Sequence, residues 1–194
     1  LFSSDARYRI KFSGSLDGAE PSNLEWVVTD HIEHGPFPLS RVKALKLLPV
    51  MATSNYALER STELEKWFAG SQGGAPVNGQ VSLGYDRSLS GNLNLQPLNV
   101  ALDEKTKVDF SGLTVDFDSS ADAEKIVATG AMERFKITSQ LATEERMNLE
   151  FKGLSIDSQT RKGSSGFYLG QNEVRMQVIE FQVGENAAIL FKDF

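Results

Sequence analysis

The feature that most constrains this chain is the period of its apolar residues. Along most of the sequence they alternate with polar ones, as Tyr8, Ile10 and Phe12 do among Arg7, Arg9 and Lys11. Successive side chains on a strand point to opposite faces, so this period sorts apolar from polar residues only when the backbone is extended. Trp26, Val28 and Ile32 share one parity in the same way. Further stretches of this kind cover 81–85, 89–95, 108–117, 126–138, 147–156, 167–169, 174–183 and 188–191. Turn signals at 17–18, 73–74 and 184–186 separate several of them. Consecutive strands joined by short turns favour an antiparallel meander over parallel units with crossover helices. The expected fold is mainly β: a large curved antiparallel sheet or an open sandwich, in a single domain over residues 1–194.

One segment breaks the period. Residues 62–70 place Thr62 and Glu65 at capping-box spacing and end on Gly70, a common helix stop. Leu64, Trp67 and Phe68 fall on one helical face. One short helix is expected near residues 57–69, starting as early as Asn55, with its Trp–Phe face in the core.

A weak repeat points to how the strands bend. Residues 108–117 and 149–157 share an apolar-acid-Phe-x-Gly-Leu pattern, and 8–18 is a looser copy. Val108 and Phe110 have one parity, while Leu113, Val115 and Phe117 have the other; Leu149 and Phe151 give way to Leu154 and Ile156 likewise. A strand that changes phase needs an extra residue or a bend. Bulges are therefore expected at Gly112 and Gly153, with apolar residues reaching both faces of the sheet.

Both histidines lie in residues 30–41, with Asp30 and Glu33 among them. On a strand, His31 and His34 face opposite ways, which leaves at most two ligands on one face and no closed metal site. The block His34-Gly35-Pro36-Phe37-Pro38 reads instead as a rigid extended connector, because each proline keeps its predecessor out of the helical region. Phe37 is expected to plug into the core. The acids Asp116, Asp118, Asp122 and Glu124 lack the glycine and closing glutamate of a calcium loop and read as a solvated loop. Residues 161–170 are rich in Gly and Ser, yet match no phosphate loop, dinucleotide fingerprint or nucleophile elbow. Arg161 and Lys162 are candidates to meet an anion. No catalytic residue, cofactor or metal is assigned.

Composition removes other classes. The net charge is −6, with no basic cluster, and this disfavours nucleic acid as a partner. There is no cysteine, so disulfides and thiolate chemistry are excluded. No apolar run approaches the roughly 20 residues that cross a bilayer.

The segments 32–41, 47–50, 84–93, 110–113, 151–154 and 161–170, above all HGPFPLSR, resemble the YdgA-like family of Gram-negative bacteria. The resemblance implies an envelope protein with one N-terminal membrane helix and a long periplasmic region, and it carries no catalytic residues. The chain opens on Leu1 and is read as an interior piece of that region, its parent anchored in the inner membrane. The expected function is a non-enzymatic periplasmic module, for self-association as a homodimer or for binding an apolar, lipidic or envelope-protein partner. A periplasmic hydrolase acting on glycan or lipid through carboxylates is the alternative. Enzymatic activity is the less favoured expectation. A concave apolar groove favours binding, and clustered carboxylates with displaced pKa values favour catalysis.

Overall fold

The structure is a computed structural model that describes residues 2–14, 22–71, 74–141, 143, 145–184 and 187–193. Among them run β1 (Ser3–Gly14), β2 (Ser22–His34), α1 (Leu39–Lys43), β3 (Ala52–Leu58), α2 (Glu65–Gly70), β4 (Val77–Leu83) and β5 (Leu89–Leu95). There follow β6 (Leu98–Ala101), β7 (Thr106–Phe110), β8 (Leu113–Ser119), β9 (Lys125–Gln140), β10 (Arg146–Lys162), β11 (Tyr168–Arg175), β12 (Val178–Val183) and β13 (Ala187–Lys192). All 13 described strands join one sheet, in the order β1-β2-β3-β4-β5-β8-β9-β10-β12-β13; β6 is paired to β7, β7 to β9, and β11 to β10. Each pairing is antiparallel, as the short connections require. The turn signals at 17–18 lie outside the described residues, and those at 73–74 and 184–186 lie partly outside.

The two repeat copies flank β9. Phe110 and Phe151 both face Phe135, and Ile156 and Val115 both face Gly130. A Cβ on Gly130 would stand 3.1 Å from Val115, so the bare glycine lets the two branched side chains close over β9.

The expected bulges at Gly112 and Gly153 are not present. Phe110 faces Phe135 and Thr114 faces Ala131, so the register is unbroken across Gly112. Lys152 faces Arg134 and Leu154 faces Met132, so it is unbroken across Gly153 too. What changes is the backbone: φ is +96° at Gly112 and +64° at Gly153, a region that side-chain-bearing residues rarely adopt. Both glycines stand across from Glu133. The neighbouring breaks fall on the same line. β5 and β6 part at Gln96-Pro97, and β11 and β12 part at Met176-Gln177, again with register kept. The sheet is creased along one line, and strands restart their alternation as they cross it. Leu95 and Leu98, three residues apart, line the same hollow, and so do Phe110 and Leu113. The phase switch therefore gathers these apolar residues on one side, where a straight strand would have divided them between two faces.

The helices differ from expectation. Residues 57 and 58 belong to β3, and α2 starts only at Glu65, with Leu64 at its N-cap and no side-chain cap from Thr62. The central strand position of 52–58 overrides a helical pattern in the sequence. The predicted helical face is correct: Leu64 and Phe68 are buried with Leu58, and Trp26, Val28, Trp67, Ala75 and Val77 pack against them. Trp26 and Trp67 meet edge to face at 5.7 Å. Gly70 is the last helical residue, and its service is proximity. A Cβ there would meet Leu98 Cδ1 at 2.8 Å and the Asn99 carbonyl at 2.9 Å. So α2 spans from β2–β4 to β6 and holds the sheet curved.

Candidate functional site

The curvature beneath α2 encloses an open hollow of about 530 Å³. Trp67 and Val77 bound it at the helix; Val100, Val108 and Ile137 form one wall row across β6, β7 and β9; Leu98, Phe110 and Phe135 form the next. Leu95, Leu102, Leu113 and Pro76 complete it, and Gln96 is the one polar residue among its thirteen. Phe110 and Phe135 stack edge to face at 6.1 Å, and Phe135 contacts Phe151 at 6.1 Å, so the aromatic floor continues onto β10. Pairing extends both rows to the far side of the sheet. Ile137 leads to Leu149, Phe181 and Ile189, and Phe135 leads to Phe151, Ile179 and Phe191. At the rim, the Lys66 ammonium donates to the Leu102 carbonyl at 2.7 Å and places one cation at the opening.

A larger hollow of about 790 Å³ lies on the crease, lined by the alternate residues Asp109, Arg134 and Lys152 with Glu133 and Gln177. Arg134 and Asp109 pair within it at 3.0 Å, and Lys152 pairs with Glu150 outside the lining at 3.1 Å.

The block around the histidines is placed differently from expectation. His31 Nδ1 donates across to the Asp5 carboxylate at 2.7 Å, and His34 Nε2 pairs with the Ser4 hydroxyl at 2.9 Å. Asp5 and Ser4 are neighbours on β1, and His31, Glu33 and His34 line one open hollow of about 490 Å³ with Phe2 and residues 35–39. Gly35 has φ +103°, which only glycine adopts freely, so the block turns where an extended connector was expected. Pro38 then caps α1, a helix the sequence reading missed. Phe37 is 58% exposed and does not enter the core. A proline before a short helix at 39–43 was the available signal, since proline is favoured at helix starts.

Other expected residues are scattered. Asp122 pairs with Arg87 at 2.8 Å, and a one-turn 3-10 helix covers Ala121–Ala123. Arg161 and Lys162 line one open hollow of about 650 Å³ with Lys125. Among the described residues, no group of three His, Asp or Glu side chains is placed to hold a metal. Among the described residues, the carboxylates with a displaced pKa are all held below the ordinary range. The Lys105 and Thr106 amides hold Asp103 down, and the Ser88 hydroxyl and amide hold Asp86 down. Burial pushes Glu33 up, but the hydrogen bonds from Ser40 outweigh it. A general acid at neutral pH needs the reverse shift.

A family model described as bacterial protein of unknown function (DUF945) matches residues 1–194. The chain belongs to this family. Protein YdgA of Escherichia coli (strain K12) is similar to it, 26% identical over 192 residues, which is 98% of this chain and 38% of that protein. The chain therefore spans well under half the length of this curated relative. No solved structure matches. The segments that carried the resemblance now have places in the fold of this chain: FSGL joins β7 to β8 and FKGL lies within β10, both crossing the crease beside β9, and HGPFPLSR leads from β2 into α1. Among the described residues no helix is long and apolar enough to cross a membrane.

Proposed function

We propose that this chain is a non-enzymatic binding module of the bacterial envelope that receives an acyl chain in the hollow beneath α2. One observation carries the reading: twelve of the thirteen lining residues are apolar, on a concave surface that an acyl chain can enter. The envelope location is supported by the resemblance carried by the HGPFPLSR block.

A fluorescent fatty-acid probe, displaced by unlabelled fatty acids of increasing length, tests the reading. Each added CH2 that enters the hollow contributes about 0.8 kcal/mol, close to fourfold in affinity. Ile137→Trp fills the hollow and lowers probe affinity by at least about tenfold. Leu102→Glu at the 42% exposed rim does the same without disturbing the interior. Affinity indifferent to chain length and to both variants would dismiss the hollow as the site.

A further inference from the structure

The loop from β2 to β3, residues 36–50, has a fixed shape and an apolar exterior. Its base is closed by backbone bonds: the Gly35 amide donates to the Met51 carbonyl at 2.9 Å, and the Val50 amide to the Pro36 carbonyl at 3.2 Å. Buried Val50 plugs that base, 7% exposed. Arg41 clamps the loop from within, donating to the Ser82 hydroxyl at 3.0 Å and to the Leu48 carbonyl at 3.3 Å. Inside this frame α1 turns into Leu45, whose φ of +56° is unfavourable for a leucine and persists only where its surroundings impose it.

The apolar side chains that this frame holds face outward. Leu45 is 84% exposed, Leu48 78%, Leu47 61%, Leu39 60% and Phe37 58%. Single exposed apolar residues are ordinary on a soluble surface, but five on one braced loop are not. The charges in the loop identify what they meet. Lys43 and Lys46 stand exposed among the leucines, and residues 36–50 hold no Asp or Glu, in a chain whose net charge is −6. Apolar tips with ammonium groups between them match an anionic lipid surface. The tips enter the boundary of the acyl region while the cations meet phosphates; the Glu33 carboxylate, which accepts from the Ser40 amide and lies in the field of Lys43, is held against the base of the loop.

We propose that the 36–50 loop docks the protein onto the surface of an anionic lipid bilayer, with Leu45, Leu47 and Leu48 inserted and Lys43 and Lys46 at the headgroups. The site is distinct from the acyl-chain hollow, and neither proposal depends on the other.

Flotation of the whole chain with vesicles tests it, using phosphatidylcholine alone and phosphatidylcholine mixed with phosphatidylglycerol. The protein floats with the mixed vesicles, less with the neutral ones, and less as salt is raised. Lys43→Gln and Lys46→Gln each lower the partition coefficient by about fivefold. Leu45→Glu together with Leu48→Glu abolishes flotation while leaving thermal melting and fatty-acid-probe binding unchanged, since both side chains contact mainly solvent. In Leu47→Trp, the added tryptophan emission shifts to the blue on addition of mixed vesicles. No flotation, or flotation indifferent to the loop variants, overturns the proposal. So does self-association by sedimentation velocity that the Leu45→Glu, Leu48→Glu pair removes without any vesicle binding, because the loop would then be a surface between proteins.

Discussion

Single residues set the crease, and two of them can be ranked. At Gly112 a Cβ would lie 3.0 Å from the Leu95 carbonyl and 3.3 Å from the Pro97 nitrogen, both parts of a fixed backbone. At Gly153 the obstruction is the Gln177 side chain, which can move aside. Each glycine also has a positive φ. Replacement by Val costs about 1–3 kcal/mol at either position from conformation alone. Thermal melting should show a larger loss for Gly112→Val than for Gly153→Val. Unchanged stability in both variants would mean that the positive φ imposes no constraint; equal losses would mean that the close approach of Leu95 and Pro97 adds nothing to it. His31 offers a second test. The hydrogen bond to Asp5 raises its pKa above 6.5, burial opposes this, and the charges of Asp5, Glu33 and Asp30 add to it. A raised folded-state pKa means that the pair stabilises fully below the unfolded value and that this is lost as pH rises through the folded one. By NMR the His31 titration should lie above its ordinary value and fall back in Asp5→Asn; the stability difference between the two proteins should shrink as pH rises past neutrality.

At the scale of elements, α2 makes the curvature. It is six residues long, too short to be stable by itself, so burial of its one face must hold it. That face meets β3 and β4 through Leu58 and Val77, and Gly70 lets it close on β6. Leu58 is 3% exposed, and Leu58→Ala should cost about 2–5 kcal/mol by denaturant unfolding. If the helix is what encloses the hollow, that variant also weakens fatty-acid-probe binding in conditions where it is still folded. Unaltered probe affinity would detach the hollow from the helix. The helical face Leu64, Trp67 and Phe68 was legible in the sequence because its spacing is local. The start of the helix was not, since residues 52–58 are claimed by pairing with β2 and β4, partners distant in sequence.

The whole molecule is open. A compact protein of 21.3 kDa exposes about 9,100 Å², whereas this one exposes 13149 Å². Buried apolar residues are few: Val50, Leu58, Leu64, Phe68, Val100 and Val108 among the described positions. The apolar rows on β9, β10 and β12 stay half-buried because the single curve under α2 covers only one end of the sheet. Small-angle scattering should return a radius of gyration well above the roughly 16 Å of a compact chain this long. A value near 16 Å would mean that the sheet closes on itself in solution. A fall in dimension with rising protein concentration is not expected; a rise would point to self-association over the uncovered rows.

Most of the strands, though not β3 or β6, were legible in the sequence, as were their antiparallel pairing and the two places where alternation changes phase. Each depends on neighbours a few residues apart, and a period of two or a glycine is visible at that range. The sequence also excluded thiolate chemistry, through the absence of cysteine. Only the tertiary structure decided that Gly112 and Gly153 lie on one crease with Gln96-Pro97 and Met176-Gln177, because register across five strands is a long-range property. It alone decided that Phe37 points to solvent, since an apolar side chain between prolines fits a core and a surface equally well in one dimension. And it alone formed the hollow. Its walls come from residues 67 to 137, and nothing local in any of them records that a six-residue helix will bend the sheet until they meet.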